Sequence, residues 1–313
     1  MKVDKQSVGS CLMDRLQKQA CVVLAEALDV TEMDVTVVAL IGGMTNRNFL
    51  CSYEGQSYVV RIPGEGTQQM VDRSDEKLYT TMAVQHGWHP ELIYFDHEGI
   101  KVTKYIAEAN TLANGRGAEK SALQKVADIL RNLHGEKISG SAVFSFADTY
   151  QRYCNMVSDR GNIYFTYPKF KEIEEMLGKW QERLSVLGIE SVPCHNDLVP
   201  ENWLITDTRL YLLDWEYAGY HDRAWDLASY ISESGLSDEA VSYFLDCYFS
   251  KRIDRLLWEE KILIYEGLQH VLWFVWTLVK EAQGVSFPGY AQKRLDGALV
   301  VAERGHKKYG WKV

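Results

Sequence analysis

The sequence lacks the marks of a secreted, membrane-spanning or metal-cluster protein. Its six cysteines form no CxxC pair and have no metal-ligand spacing, so we expect reduced thiols in a cytoplasmic protein. The first ten residues are polar and do not resemble a signal sequence. The longest apolar run without charge, 267–279, has thirteen residues, whereas a membrane span needs roughly 20. This run predicts a buried helix and no membrane insertion.

Positive charge is also scarce. Lysine and arginine total 34 against 43 aspartates and glutamates, which gives a net charge of −9. An acidic chain has no electrostatic reason to bind nucleic acid or an anionic membrane, so we expect neither as a partner. The composition, with 46% hydrophobic and 25% charged residues, is that of a folded protein and excludes a disordered chain or a disulfide miniprotein. The sequence leaves the oligomeric state open.

The first hundred residues predict a small antiparallel sheet with one helix inserted. A helical stripe over 8–29 precedes short segments that are rich in β-branched and aromatic residues. A tight turn at Glu54-Gly55-Gln56 joins two of these segments into a hairpin, and a helix-like stretch follows at 68–85. The predicted strands are 35–41, 48–53, 57–62, 92–95 and 100–104.

Beyond residue 107 the pattern is mainly helical. The exception is 192–214, where short apolar pieces flank turns dense in aspartate and asparagine. We therefore predict an α+β protein with an N-terminal sheet lobe over 1–104 and a helical C-terminal lobe over 105–313. The predicted helices of the second lobe are 118–134, 146–158, 169–187, 222–234, 237–250, 255–282 and 287–309.

The most informative segment is a polar cluster at 194–216. It contains the pattern HxDxxxxN, formed by His195, Asp197 and Asn202, and then an apolar strand that ends in Asp214. A carboxylate such as Asp197 can accept the proton of an attacking hydroxyl. Asn202 and Asp214 offer the hard oxygen ligands that suit Mg²⁺. The cluster predicts phosphoryl transfer.

Two other interpretations of this cluster are open. Aspartate and asparagine also cap and bend the backbone in turn-rich loops that carry no chemistry. Cys194 and His195 could bind zinc, but no two further ligands stand at a sensible spacing. The complete string, with the HxD motif, the four-residue gap and the later strand aspartate, favours phosphoryl transfer over both.

The cluster resembles the protein-kinase-like superfamily in its small-molecule branch. Where protein kinases have HRD and DFG, this chain has His195-Asn196-Asp197 and Asp214-Trp215-Glu216. The segments 214–219 and 225–228 are similar to the signature of choline/ethanolamine kinases, of the bacterial choline kinase type, rather than to that of aminoglycoside phosphotransferases. The resemblance extends from Gly42 to Asp296. It implies a two-lobed protein-kinase-like fold with ATP and Mg²⁺ as cofactors.

The resemblance also implies an ATP site in the first lobe. Backbone N–H groups of a glycine turn can approach phosphates closely, and Arg61 would replace the phosphate-binding lysine of protein kinases. Glu76 would orient Arg61, although the adjacent Asp75 fits the same role. A plain glycine hairpin and a surface arginine are the alternatives. The phosphate loop would be Gly42, Gly43, Met44, Thr45 and Asn46, and the hinge that binds adenine would be Lys104, Tyr105 and Ile106.

The C-terminal third is rich in aromatic residues. Trp273 and Trp276 lie three residues apart and so share one helix face. By themselves, such tryptophans are more often core residues than ligands. The resemblance instead implies an aromatic cage for a quaternary ammonium group, in which each ring face contributes roughly 0.5–2 kcal/mol. The choline-binding residues that it implies are Asp197, Tyr217, Glu233, Trp273, Trp276 and Tyr290.

The predicted reaction is transfer of the ATP γ-phosphate to the hydroxyl of choline. Asp197 would accept the hydroxyl proton, and Asp226 would hydrogen-bond the backbone of the catalytic loop, which His195 would buttress. One alternative is the same fold acting on ethanolamine, thiamine or an aminoglycoside. The other is a non-catalytic nucleotide-binding regulator, which the presence of a complete motif argues against. The predicted Mg²⁺ ligands are Asn202, Asp214 and Glu216.

Overall fold

The computed structural model describes residues 5–39, 46–64, 66–67, 70–157, 160–249 and 253–311. The chain divides into two compact units, one with residues 1–112 and 201–217, the other with 113–200 and 218–313. The segment that carries Asn202 and Asp214 therefore belongs to the same unit as the N-terminal sheet. This division differs from the predicted boundary at 104/105, which remains a prediction about functional lobes.

The first unit is built on a five-stranded antiparallel sheet. Its strands are β1 Thr36–Ala39, β2 Arg47–Tyr53, β3 Gln56–Ile62, β4 Leu92–Phe95 and β5 Lys101–Lys104. Their spatial order is β1-β2-β3-β5-β4. A long helix, α1 (Lys5–Leu28), packs Ala20 and Leu24 into a core with Phe49, Cys51 and Val60 of the sheet. Burial of this apolar face drives the association of helix and sheet.

The hairpin turn between β2 and β3 is one residue shorter than predicted. Glu54 and Gly55 form the turn with φ of 46° and 77°, the left-handed pair that matches the twist of a two-residue hairpin. Gln56, which was predicted in the turn, instead pairs with Tyr53 in the sheet. The predicted glycine turn between β1 and β2 lies outside the described residues.

Helix α2 (Arg73–Gln85) begins five residues later than predicted. Asp72 determines this start, because its side chain accepts hydrogen bonds from the backbone N–H groups of Ser74 and Asp75 at 2.9 and 3.2 Å. Such capping satisfies donors that the first helical turn leaves unpaired. The cap fixes the position of Glu76 in the first turn of the helix.

A second sheet in the first unit carries the segment after the catalytic motif. It consists of β6 (Asn110–Thr111), β8 (Trp203–Ile205) and β9 (Leu210–Leu212), in the order β6-β8-β9. The N–H of Leu213 donates to the carbonyl of Asn202 at 2.7 Å. This contact holds the predicted metal ligands Asn202 and Asp214 on neighbouring stretches of chain.

The second unit is helical, with α9 (Arg255–Ala282) at its centre. This helix is long and apolar enough to cross a membrane, but 83% of its most apolar 18-residue stretch is buried inside the protein, so it is a core helix. The helices α4, α6, α7 and α10 contact it. The other helices are α3 Lys120–Leu133, α4 Phe146–Met156, α5 Arg160–Thr166, α6 Phe170–Leu187, α7 Arg223–Glu233, α8 Asp238–Phe249 and α10 Tyr290–Tyr309.

The seven helices predicted beyond residue 107 are confirmed, with ends that shift by a few residues. Helix α10 begins three residues late, because Gly289 precedes it with a φ of 74° that no helix continues. The short helix α5 was not predicted. Two strands, β7 (Val192–Cys194) and β10 (Gly219–His221), pair antiparallel in this unit.

Candidate functional site

A buried arginine organises the first unit's share of the predicted site. Arg61, in β3, is 4% exposed. Its Nη2 lies 2.5 Å from Oε1 of Glu76, and its Nη1 lies 2.9 Å from Oδ1 of Asp214. Nη2 also donates to the carbonyl of Gly99 at 2.8 Å. Arg61, Glu76 and Asp214 are thus brought together, although 153 residues separate the first from the last.

Glu76 binds two further cations that were not predicted. Arg73 Nη1 lies 2.6 Å from Oε2 of Glu76, and Lys101 Nζ lies 3.2 Å from Oε1. Burial by itself raises the pKa of a carboxyl, but the charges of Lys101, Arg61 and Arg73 outweigh it and lower the pKa of Glu76 to about 2. Arg61 and Lys101 are paired across β3 and β5, a register that the sequence pattern did not indicate.

Two acidic side chains converge on one amide at the end of β9. Asn46 Nδ2 donates to Glu216 Oε2 at 3.3 Å and lies 3.5 Å from Asp214 Oδ2. Asp214 adopts a left-handed backbone conformation with a φ of 60°. Burial, together with the charge of Asp214, raises the pKa of Glu216 to about 7, although Arg61 opposes this shift. The pair concentrates negative charge in a confined space.

This donor set fits a hard divalent cation. Mg²⁺ takes carboxylate and carbonyl oxygens, and Asp214 and Glu216 present such oxygens. In addition, Asn46 Oδ1 is buried without a hydrogen-bond partner among the described residues. A cation here would offset the repulsion between the two carboxylates. Five of the predicted ATP-site and metal residues therefore lie within one polar cluster: Asn46, Arg61, Glu76, Asp214 and Glu216.

Only some residues of the predicted nucleotide-binding segments are among those that the structure describes. Gly42, Gly43, Met44 and Thr45 lie outside the described residues, and Asn46 is buried. In the predicted hinge, the N–H of Lys104 donates to Glu91 O and that of Tyr105 donates to Ser57 O, both at 2.9 Å. These two N–H groups are already paired, so adenine would have to use other backbone groups of residues 104–106.

In the second unit, helix α7 holds the loop that carries His195 and Asp197 of the predicted catalytic motif. The N–H groups of His195 and Asn196 donate to the two oxygens of Asp226, each at 2.8 Å. The N–H of Leu198 donates to Ser229 Oγ at 3.1 Å. The predicted role of Asp226, a structural carboxylate that hydrogen-bonds the loop backbone, is confirmed. Asp197 lies half-buried between these anchored residues, and its N–H donates to His195 Nδ1 at 3.3 Å.

Neighbouring groups stabilise the negative charge of Asp226. Burial disfavours the carboxylate, but His134 and the loop N–H of His195 lower the pKa of Asp226 below its usual value. Cys194, His134 and Asp226 place possible ligand atoms within 4.8 Å of one another. Burial and the charge of Asp226 raise the pKa of the Cys194 thiol well above its ordinary value, and metals bind the thiolate. The trio is better explained as a brace for the loop than as a zinc site.

An aromatic cluster joins α9 to α10. The rings of Trp273 and Trp276 are 6.2 Å apart and nearly perpendicular. Phe287 connects them to Tyr290, with centroids 5.4 Å from Trp276 and 6.4 Å from Tyr290. The Nζ of Lys280 lies 5.9 Å from the centroid of Trp276, so this ring already faces a cation. Trp276 is 5% exposed and is in part a core residue.

The negative charge of Glu233 is balanced by a cation of helix α10. Arg294 binds Glu233 with both terminal nitrogens, Nη1 to Oε1 at 2.5 Å and Nη2 to Oε2 at 3.1 Å. Arg294 Nη2 also donates to the Tyr290 hydroxyl, and its guanidinium lies 4.8 Å from the centroid of the Tyr290 ring. Sequence reasoning missed Arg294, because 61 residues separate it from its partner. Tyr217 is half-buried in the first unit.

The fold, the polar cluster of the first unit and the anchored loop of the second unit together define a class of protein. An antiparallel sheet unit, a helical unit and an anchored HxDxxxxN loop are the parts of a protein-kinase-like phosphotransferase. The predicted fold class is confirmed by structural neighbours. The choline kinase LicA from Streptococcus pneumoniae has a TM-score of 0.80, is 30% identical and is aligned over 93% of this chain and 99% of its own. LicA in complex with AMP has a TM-score of 0.78, is 30% identical and is aligned over 91% and 98%.

Sequence comparison gives the family. The Choline/ethanolamine kinase family model matches residues 37–255, which is more than half of the chain. Protein LicA of Haemophilus influenzae is 34% identical over 84% of this chain and 79% of its own length. The chain belongs to the choline/ethanolamine kinase family, and it is a kinase.

Proposed function

We propose that this kinase transfers the γ-phosphate of ATP to the hydroxyl of choline, in the cytoplasm and with Mg²⁺. The relatives named LicA include a choline kinase, and an AMP complex of LicA supports a nucleotide as the phosphate donor. Ethanolamine is the nearest alternative acceptor, since the family includes kinases for both amino alcohols.

One observation carries the proposal: the rings of Trp273, Trp276 and Tyr290 cluster in the same unit as the loop of Asp197. Burial raises the pKa of Tyr290, and smaller contributions from the charges of Glu233 and Asp197 act in the same direction, whereas Arg294 opposes them. Ring faces attract quaternary ammonium groups. A choline head held at Tyr290 and Trp273 would therefore carry its hydroxyl toward Asp197.

The proposed chemistry needs one proton acceptor. The choline oxygen attacks the γ-phosphorus, its proton passes to the carboxylate of Asp197, and the bond from the γ-phosphorus to the bridging oxygen breaks to release ADP. Anchoring of the loop by Asp226 keeps Asp197 in place without reorganisation at the moment of reaction. Asn202, Asp214 and Glu216 would hold Mg²⁺, which supplies charge neutralisation at the phosphates when bound. Arg61 would contribute positive charge beside them.

The test measures ADP release from ATP and Mg²⁺ with a panel of acceptors. The panel holds choline, dimethylethanolamine, monomethylethanolamine, ethanolamine, thiamine and kanamycin. We expect choline to give the highest kcat/KM. Asp197→Asn should abolish turnover, because the amide cannot accept the proton. Asp207→Asn, the same change on an exposed turn, should have no effect.

Other outcomes would identify the alternatives. If ethanolamine gives the highest kcat/KM, phosphoryl transfer stands and the choline assignment is wrong. A preference for kanamycin would contradict the aromatic-cage assignment as well, since a polycationic sugar calls for an acidic pocket. If ATP binds and no acceptor is phosphorylated, the choline assignment is wrong, and the protein either acts on an acceptor outside the panel or is a nucleotide-binding regulator.

A further inference from the structure

The Glu233–Arg294 pair is placed where it can control which ammonium groups the acceptor pocket takes. The side chain of Arg294 is 5% exposed and that of Glu233 is 16% exposed, so water screens the pair poorly. Both oxygens of Glu233 accept hydrogen bonds from Arg294, and the Tyr290 hydroxyl accepts another. One arginine thereby fixes two of the residues that are predicted to surround the acceptor.

We propose that Arg294 is a positioning residue that makes the pocket select quaternary over primary ammonium groups. This inference rests on the proposed function and deepens it, because it concerns the acceptor at the same site. Arg294 acts through Glu233 and Tyr290 and touches no reacting atom.

The physical reason lies in the different needs of the two cations. A primary ammonium group has three N–H donors and must recover in the pocket the hydrogen bonds that it loses from water. Glu233 is the natural acceptor, but each of its oxygens already accepts a hydrogen bond from Arg294, which also balances its charge. A trimethylammonium group has no N–H donor, so it loses no hydrogen bond when acceptors are absent, and ring faces can bind it.

Removal of the arginine should therefore change the ratio of the two substrates. Without Arg294, the charge of Glu233 is no longer balanced, and its oxygens lose the two hydrogen bonds from the guanidinium. Both cations gain from the charge, but only the primary ammonium gains hydrogen bonds. The gain from the charge, which both substrates share, cancels in the ratio of kcat/KM for choline to kcat/KM for ethanolamine. We expect this ratio to fall roughly tenfold in Arg294→Met, with most of the change in KM, as expected for a hydrogen bond to a charged group.

Two further variants, Arg294→Lys and Arg304→Met, separate positioning from structure. Arg294→Lys keeps one charge and a single point of contact, so the ratio should lie between those of wild type and Arg294→Met. Arg304→Met makes the same change on the same helix, where Arg304 pairs with Glu266 at 3.2 Å, and it should leave the ratio unchanged. His270 Nδ1 lies 3.5 Å from Arg294 Nη1, so a protonated His270 would replace the lost cation. Assays at about pH 8.5 keep His270 neutral and prevent this.

A binding measurement tests the inference if a variant loses turnover. Calorimetry with tetramethylammonium and methylammonium, on protein whose folding is checked by circular dichroism, should show the same loss of selectivity. An unchanged ratio in a folded Arg294→Met enzyme overturns the inference and leaves the choline assignment intact. If Arg294→Met does not fold, a wild-type ratio in Arg294→Lys overturns it instead. A wild-type enzyme that phosphorylates neither amino alcohol overturns the proposed function itself.

Discussion

Two residues with left-handed backbone conformations mark the segments that carry the predicted chemistry. Asn196 has a φ of 68° and Asp214 a φ of 60°, values that few residues other than glycine adopt. Asn196 follows strand β7 and is next to Asp197. Asp214 follows strand β9 and is itself a predicted Mg²⁺ ligand. The cost of such backbone is of order 1–3 kcal/mol at each position. The hydrogen bond that the Asn196 N–H donates to Asp226 and the ion pair of Asp214 with Arg61 offset it.

At the same scale, Glu216→Gln should stabilise the metal-free protein while weakening Mg²⁺ activation. Burial and Asp214 raise the pKa of Glu216 to about 7, above its ordinary value of 4.5. The stability that this group contributes is complete below pH 4.5 and is lost as the pH rises through 7. A neutral glutamine removes this loss, so we expect a gain of about 1 kcal/mol at pH 8 in EDTA and none at pH 4.5.

The measurement is urea unfolding in EDTA at both pH values, with a Mg²⁺ titration of ADP release alongside. The Mg²⁺ concentration for half-maximal rate should rise several-fold in the variant. Glu201→Gln, the same change on an exposed residue, serves as the control. A variant that is less stable than wild type in EDTA at pH 8 would show that the two carboxylates do not repel.

At the scale of elements, close packing against α9 defines the core of the second unit. Gly267 lies in this helix, and a Cβ there would come 2.7 Å from the ring of Trp180 and 3.0 Å from Val301. Trp180 is 2% exposed and cannot move aside. The glycine therefore permits α6 and α10 to approach α9 closely.

Gly267→Ala should destabilise the protein by about 1–2 kcal/mol. Overpacking in a rigid core costs roughly 1–3 kcal/mol, and the higher helix propensity of alanine returns up to about 1 kcal/mol. Gly178→Ala is the matched control, since Gly178 lies in α6 with nothing within 4 Å of an added Cβ. It should stabilise the protein by about 0.5–1 kcal/mol. Urea unfolding of both variants checks the prediction, and equal signs for the two would contradict it.

Elements with a strong local pattern could be predicted, and pairings between distant residues could not. The strands of the first sheet and the amphipathic helices have periodic apolar positions, which explains why they were predicted. Helix α5 has seven residues and buries only Ile163 among its described apolar side chains, so it has no stripe to detect. The HxDxxxxN motif is local as well. The binding of Arg294 to Glu233 and of Lys101 to Glu76 depends on the folded chain.

At the scale of the whole molecule, two buried groups make the folded protein sensitive to acid. Glu76 has a pKa of about 2 and an ordinary value of 4.5. Burial, together with the charge of Lys101, lowers the pKa of His89 from 6.5 to about 3. In both cases the unfolded chain takes up a proton at a higher pH than the folded chain does. Stability therefore falls as the pH drops, first below 6.5 through His89 and then below 4.5 through Glu76.

Glu76→Gln should remove the loss of stability below pH 4.5, but it should strongly lower the stability of the protein near pH 7. At pH 7 the variant leaves Arg61, Arg73 and Lys101 buried without their common carboxylate, and breaking such a cluster costs about 3–5 kcal/mol. As the pH falls from 4.5 toward 2, wild-type Glu76 takes up its proton and loses the same attraction, so the two proteins should converge. Glu91→Gln, whose pair with Lys104 is exposed, should follow wild type throughout. Urea unfolding between pH 7 and pH 3 measures the gap between the two curves. A gap that stays constant below pH 4.5 would mean that the charge of Glu76 does not hold the three cations together.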